Sequence, residues 1–546
     1  MSEEYAIAID IGTSGIRALS LNINTSEVIS SVITLRHPIP GANVVDHLHF
    51  ALNVSLETAH NLLINAINKV INGLNIDKKK VKRVAVCGNP IQLSLFNGIE
   101  IRDLAYWGEN AIERLGIEVP SRNATIVNSK EIGLVGLEDA SVYIPPAIQH
   151  EIGADALAML YKTGVLNREG IFLVTDFGTN AEMALVIDKK VFTCSAAAGP
   201  AIEGQMIDKG RLASPGAICD LEDSGVYWKN IVLNDDLLIT DGDVVEPSNG
   251  EILEKSDSNI KAKGITGTGV IAAYSMGISN DLIHNSKIKT HDKKIHLQDD
   301  VYVGEEDLVN VGKALGAFRA AYLTLAEKAN ILLDDIDEVY MAGASGFYVD
   351  PLKSLNVGQI PNSSREIFQV GNTSLDMAKD IALNPALLDE LQEIADKMRS
   401  NHIMLATSKT FEKIYSLELS IYDEGMPFWM YNQWLEKYGF QKIPQTENNP
   451  NVHRIFERDI YDLGINGLSI VEIGLKLEAQ FVNCTKCLTC IKNCPETAIS
   501  MEKDGKIILR TDKCAGLGCQ KCVLTCPEKV FDYNKFLDVR NNVLAK

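Results

Sequence analysis

No stretch of this 546-residue chain approaches eighteen uninterrupted apolar residues, so no transmembrane helix is expected. The opening MSEEYAIAID has no basic segment followed by a long apolar one, which points to a cytoplasmic protein. Positive charge is also in short supply: 52 Lys and Arg face 72 Asp and Glu, a formal charge of −20. Nucleic acid and anionic membrane would be repelled at ordinary salt, leaving proteins or small molecules as partners. No G-x-x-x-x-G-K-[ST] run occurs, which excludes a P-loop nucleotide site. Cysteine is scarce ahead of residue 484, where Cys87, Cys194 and Cys219 stand apart in or beside apolar segments and read as buried structural thiols. The length is too great for one ordinary core and predicts about two to four domains.

What is present begins with an internal repeat. YAIAIDIGTSGIRALSLNINTSEVISS reads as a strand, a polar turn, a second strand from Ile16 to Leu21, an Asn-rich turn and a third strand from Val28. IFLVTDFGTNAEMALVIDKKVFTCS repeats the pattern, with a turn at Asp188 to Lys190. Such a repeat suggests two similar lobes. In the turns, Gly12, Gly15 and Gly178 let backbone approach a ligand, and Thr13, Ser14, Thr179 and Asn180 offer polar donors. Asp10 and Asp176 can hold a hydrated Mg²⁺ or a water. Together the two turns could clamp a triphosphate. A third element, IDEVYMAGASGFYVDP, follows a long helical stretch from about Glu305 to Asn330. There a strand ending near Met341 runs into Gly343, Ser345 and Gly346, small residues against which an adenine ring could lie.

Two other matches are coincidental. Asp176-Phe177-Gly178 resembles a protein-kinase motif but lacks the catalytic loop and the Gly-rich loop that should accompany it. Gly267-Thr268-Gly269 fits a dinucleotide fingerprint without an apolar strand leading into it, and reads as a Gly-rich helix start lining the nucleotide cleft.

The far end of the chain is different. Cys484-x2-Cys487-x2-Cys490-x3-Cys494-Pro495 has the bacterial ferredoxin spacing, and Cys514-x4-Cys519-x2-Cys522-x3-Cys526-Pro527 repeats it with a longer first gap. Gly516 and Gly518 give the longer gap backbone freedom. Two closed zinc sites would also use eight thiolates, but the repeated C-x2-C-x3-C-P favours iron–sulfur clusters. In the ferredoxins that these runs resemble, the fourth cysteine of each run ligates the other cluster. The resemblance therefore assigns Cys484, Cys487, Cys490 and Cys526 to one [4Fe–4S] cluster, and Cys494, Cys514, Cys519 and Cys522 to a second. From Phe481 onward 11 basic residues outnumber 7 acidic ones, a net +4, so the preceding 480 residues carry −24. Each oxidised cluster brings about −2, which the basic side chains would roughly cancel. Between the modules, Trp429, Tyr431, Trp434 and Tyr438 read as core, with a partner surface as the minority reading.

D-x-G-T-S, D-x-G-T-N and A-G-A-S-G together resemble the phosphate-1, phosphate-2 and adenosine elements of the actin, sugar-kinase and Hsp70 superfamily. The resemblance spans about residues 5 to 380. It implies an α/β fold of two lobes with ATP in the cleft and closure coupled to hydrolysis. SAAAGPAIEGQMIDKGRLASPGAI, Ser195 to Ile218, resembles a signature of the ATP-dependent reductive activators of corrinoid proteins. With two C-terminal [4Fe–4S] motifs and no N-terminal plant-type [2Fe–2S] domain, the sequence is most similar to the methanogen form that serves methylamine methyltransferases. The expected organisation is a first actin-like lobe over 1–155, a second over 156–398, a connecting or partner-binding segment over 399–479, and a small α+β two-[4Fe–4S] ferredoxin domain over 480–546.

The resemblance implies that ATP and Mg²⁺ drive reduction of an inert Co(II) corrinoid protein to Co(I), with electrons from a low-potential donor such as a ferredoxin. A deficit of about 240 mV for one electron is about four decades in equilibrium constant, roughly 5.6 kcal/mol. ATP can offset it only through a conformational change that favours an easier cobalt reduction. Alternatives are an ATP-driven donor to another enzyme, as in activators of 2-hydroxyacyl-CoA dehydratases, an actin-fold kinase with a redox module, or an electron-transfer module whose actin-like part only docks a partner.

Overall fold

Alternating and continuous apolar runs rich in Ile, Val and Ala build the first sheet. Strands β1 (Tyr5–Ile11), β2 (Ile16–Asn22) and β3 (Val28–Ile33) form an antiparallel meander. In the turn between β2 and β3 the Asn22 side chain accepts from the N–H groups of Asn24 and Thr25, the local bonding that makes Asn a turn residue. β4 (Val81–Gly88) lies parallel to β1, followed outward by β6 (Ser141–Ile144) and β5 (Thr125–Asn128). The opposite edge is completed from far along the chain: Leu468–Ile470 pairs parallel with β3.

The structure is a computed structural model. It describes the chain except residues 1–2, 42, 107–108, 138, 150–151, 179, 197–200, 202–205, 445–448, 456–466, 495, 517–518 and 538–546. The fold divides into two units, one of Met1–Ala154, Ser374–Ala395 and Ile460–Lys546, the other of Asp155–Thr373 and Asp396–Asp459. Residues 374–395, expected in the second lobe, therefore pack with the first. Arg83 shows how, donating to the carbonyls of Ala382 and Leu383.

The second unit repeats the meander. β7 (Ile171–Phe177), β8 (Ala181–Ile187) and β9 (Lys190–Ala196) are antiparallel neighbours. Asp188 and Lys189 both have positive φ, 45° and 72°, as a tight hairpin turn between right-twisted strands requires. Glu338–Ala342 lies parallel to β7, then Glu366–Gly371 and Asn451–Arg454. A 25-residue helix, Glu305–Ala329, is buried along most of its length and ends at Asn330 in the left-handed region.

The segment over 399–479, expected to connect the modules or bind a partner, is divided between the units. Its helix Lys409–Glu424 packs on Glu305–Ala329, where a Cβ on Gly312 or Gly316 would collide with Tyr422 or Glu418. Arg319 and Glu418 meet there at 2.9 Å, both buried. Tyr431 is fully buried and Trp434 packs against the same core, while Trp429 and Tyr438 are exposed.

The cysteine-rich end is a three-stranded antiparallel sheet, Lys476–Ala479, Ile507–Arg510 and Ile499–Met501 in spatial order. A cluster of Phe481, Phe531 and Phe536, with centroids 4.9 to 5.7 Å apart, closes its core.

Candidate functional site

The phosphate-1-type turn leaves β1 after Asp10, which is buried opposite Arg17 on β2. Gly15 has no room for a side chain, since a Cβ would stand 2.6 Å from the Thr34 carbonyl. The Ile16 N–H donates to Thr34 Oγ1 at 2.8 Å, and Asn89, the N-cap of helix Pro90–Asn97, donates to Thr13 Oγ1 at 3.2 Å. A Cβ on Gly12 would crowd the Gly15 carbonyl at 3.1 Å, so the loop folds back on itself.

The phosphate-2-type turn follows the same plan in the second unit. The Gly178 N–H donates to the Asn180 carbonyl at 3.2 Å, closing the turn. Thr179 and residues 197–200 and 202–205 of the activator signature lie outside the described residues. The third element is brought to this turn: Ala342 pairs with Asp176, and a Cβ on Gly343 would collide with Asp176 Oδ1. Gly343, at φ +82°, is thus required both by backbone and by the carboxylate it shelters. Gly346 packs on Phe177, and Ser345 lies in the same short helix, Gly343–Tyr348. Helix Gly267–Ser279 touches that helix. Its Gly267 and Gly269 are buried, with Gly269 held against the Ile218 carbonyl.

Sequence reasoning missed Glu182 here. Glu182 lies directly across from Asp176 and from Ser195 in the β7–β8–β9 register, and Ser195 donates to it at 3.4 Å. Burial, then the Asp155 and Asp176 carboxylates, push the Glu182 carboxyl well above its ordinary value, which favours its protonated form. A single acidic residue in the apolar run AEMALVI was the signal available.

The eight clustered cysteines fall into two sets. Cys484, Cys487, Cys490 and Cys526 line one cavity with Phe481, Leu488, Met501 and Phe531. Cys494 comes from the first run but lies in electrostatic reach of Cys514 and Cys522, as does Cys519. Each run thus sends its fourth thiol to the other set. The loops suit a negatively charged group. Lys486 and Leu488 in the first run and Gln520 in the second have positive φ, the alternation that turns successive N–H groups inward as an anion-binding nest. Sulfur acceptors already have donors: Ala498 N–H reaches Cys494 Sγ at 3.2 Å and Gly516 N–H reaches Cys514 Sγ at 3.4 Å.

The second set is tied to the first unit's glycine turn through residues 34–41. Thr34 Oγ1 donates to the Arg36 carbonyl at 2.7 Å, and Arg36 pairs with Glu496 at 2.6 Å, two residues beyond Cys494. The Gly41 N–H donates to the Cys514 carbonyl at 3.2 Å. A stacked, fully buried pair, His37 on His47, braces the loop, with His47 bonded to Gln92 at 2.7 Å. Burial holds the His37 imidazole down to about 3 and lowers His47 as well, so both are neutral.

Comparison with known proteins follows this division. Residues 5–168 match the family described as the RACo middle region, residues 170–432 the C-terminal domain of RACo, the ASKHA domain, and residues 483–531 a 4Fe-4S dicluster domain. The chain is 45% identical over 517 residues to the [Co(II) methylated amine-specific corrinoid protein] reductase of Methanosarcina barkeri, covering 94% of this chain and 95% of the relative. It belongs to the reductive activators of corrinoid proteins. A more distant member of the comparison, the corrinoid activation enzyme RamQ of Eubacterium limosum, is 23% identical, with 77% of this chain and 71% of the relative aligned. The solved reductive activator for corrinoid, iron-sulfur protein shares the fold, at a TM-score of 0.62 and 24% identity over 77% of this chain and 66% of the other. The actin-like lobes and dicluster end expected from sequence are thus those of this family. Among the described residues no helix is long and apolar enough to cross a membrane.

Proposed function

We propose that this activator uses ATP to reduce the inert Co(II) state of a methyltransferase corrinoid protein, of a methylamine system, to Co(I). The observation that carries the reading is the 45% identity, over nearly the whole of both chains, to a reductase of that kind. The donor is a low-potential protein such as a ferredoxin, and the setting is the cytoplasm.

Within the first unit, Asp10 orients a hydrated Mg²⁺ or water while the Gly12–Gly15 loop offers N–H and hydroxyl donors to phosphate oxygens. Within the second, Asp176 does the same beside the Gly178–Asn180 turn. Glu182, whose buried setting favours the protonated form, accepts from Ser195 and so does not repel its neighbour as a second carboxylate would. Gly343 and Gly346 leave a side-chain-free surface at the end of strand Glu338–Ala342 for the adenosine, with Gly267 and Gly269 behind it. Cys484, Cys487, Cys490 and Cys526 hold one [4Fe–4S] cluster, and Cys494, Cys514, Cys519 and Cys522 the other. The clusters, when bound, supply one-electron transfer at low potential.

The test is Asp176→Ala, and Asp10→Ala beside it, in an anaerobic assay that follows Co(I) absorbance with corrinoid protein, ATP and a low-potential reductant. Both variants should lose ATP turnover and Co(I) formation while keeping their iron. Wild-type rates in both would overturn the assignment of the turns, and failure of the unaltered protein to form Co(I) would overturn the function.

A further inference from the structure

The two cysteine sets differ in what surrounds them. The second is backed by residues 34–41, whereas the cavity of the first is bordered by solvent-exposed side chains. Cys487 is itself exposed. Three large apolar side chains in these loops stand in water: Val482 at 75%, Leu524 at 77% and Leu488 at 40% exposure. Leu488 also lines the cavity. Short helices Thr489–Lys492 and Lys521–Leu524 touch each other, which sets the two loops side by side. Around these apolar side chains lie exposed Lys486, Lys492, Lys521 and Lys529, and over residues 481–494 and 519–530 the one acid is Glu528.

An apolar centre rimmed by cations suits brief encounters between redox proteins, in which opposite charge steers and a small contact area lets go. The charge of the rest of the chain decides the sign of the partner. Residues 1–480 carry −24 and repel an anionic protein, while the cysteine-rich end carries +4, so an acidic carrier is guided to this face and away from the remainder. We propose that the face around Val482, Leu488 and Leu524 is the docking surface for a small acidic one-electron carrier protein. The carrier loses one electron there and the first cysteine set's cluster gains it, with no bond made or broken. The proposal rests on the redox reading given above.

The test uses the full-length, iron-loaded chain carrying Lys492→Glu, Lys521→Glu and Lys529→Glu, exposed side chains outside the nest. The probe is fully reduced flavodoxin, an acidic carrier whose flavin absorbance reports its own oxidation in anaerobic stopped flow. At low salt the second-order rate should fall at least about tenfold, with the difference narrowing as salt screens it. Iron content and reduction by titanium(III) citrate should stay unchanged. In the unaltered chain the flavodoxin rate should drop steeply with ionic strength, and a flat or rising dependence would overturn the proposal even if the variant proved unstable. An unchanged flavodoxin rate in an intact variant would overturn it too. If that rate held but Co(I) formation driven by titanium(III) citrate fell, the face would belong to the corrinoid protein instead, again against the proposal. The flavodoxin measurement involves no corrinoid protein, so it stands whatever becomes of the wider function.

Discussion

Cys487 stands in solvent beside the Thr489 hydroxyl at 3.2 Å, whereas Cys514 lies under Tyr533 and hands its carbonyl to Gly41 of the first-unit loop. The same electrostatics read differently in the two places. Hydrogen bonding to Thr489 lowers the exposed Cys487 thiol from its ordinary value, while burial, with Cys494 and Cys519 nearby, pushes Cys514 up to about 11. Burial likewise pushes Cys522 up to about 12. A repeated motif thus yields two sites of unlike surroundings: one open to solvent, and one joined through Thr34 to a nucleotide-type turn. The fusion of an actin-like ATPase to a ferredoxin-type end makes physical sense when the inner site, not the outer, is the one held by the lobe.

The largest effect should come from breaking the crossing itself. Cys526 belongs by sequence to the second run and by structure to the cavity of Cys484, Cys487 and Cys490. Cys526→Ser is expected to cost the first site its cluster and leave the second intact. Iron should fall by about half, and electron paramagnetic resonance of the reduced protein should lose the magnetic coupling between two nearby clusters. Loss of the cluster at Cys514, Cys519 and Cys522 instead would show uncrossed ligation.

Much of this layout was legible because it is local. Strands of six or seven residues with punctual turns announced β1 to β3 and β7 to β9, the cysteine spacings announced the two runs, and Asn330 marked the end of the long helix. What escaped depends on pairing between distant segments. Glu182 gains its meaning only from a register that sets it against Asp176. Nothing near Leu468 says that it completes the edge beside β3, and nothing near Thr34 says that the next seven residues will meet Glu496 and Cys514. Within the segment read as connecting or partner-binding, the place of helix Lys409–Glu424 is decided by Gly312 and Gly316, about a hundred residues earlier, which leave room for Tyr422 and Glu418.

A middle-sized effect should follow from loosening the inner site's attachment. Gly516 has φ +68°, and a Cβ there would stand 2.9 Å from Gly41 Cα, a backbone atom that cannot swing away. Gly505, on the outer side, has φ +91°, but its Cβ would meet only the flexible end of Lys486. Both positions strain any other residue, so the pair separates backbone strain from the contact with Gly41. Gly516→Val should lower stability by about 1–3 kcal/mol more than Gly505→Val, a further drop of roughly 2–10 °C in Tm for a unit of this size. Anaerobic thermal denaturation of the two variants checks this, and equal losses would mean that the Gly41 contact contributes little.

The smallest effect concerns the potentials of the two sites. Cys514 Sγ and Tyr533 Oη are 3.6 Å apart, a geometry in which a thiolate accepts from the phenol O–H. Burial, then the nearby Cys514, raises the Tyr533 phenol well above its ordinary value, so it remains a donor at any working pH. Donors to cluster sulfurs favour the more negative, reduced state and raise the potential. Among the described residues the second set receives Tyr533, Ala498 N–H and Gly516 N–H, and the first receives Thr489. The inner site should therefore lie at the higher potential, which draws an electron inward from the exposed one. Tyr533→Phe keeps the ring and removes that single donor. A weak hydrogen bond whose strength changes by about 0.5–1 kcal/mol between oxidation states corresponds to roughly 20–45 mV for one electron. Redox titration followed by electron paramagnetic resonance should show one cluster moving down by that amount while the other stays. A shift in the cluster of Cys484, Cys487 and Cys490, or none in either, would separate potential from the asymmetry of their surroundings.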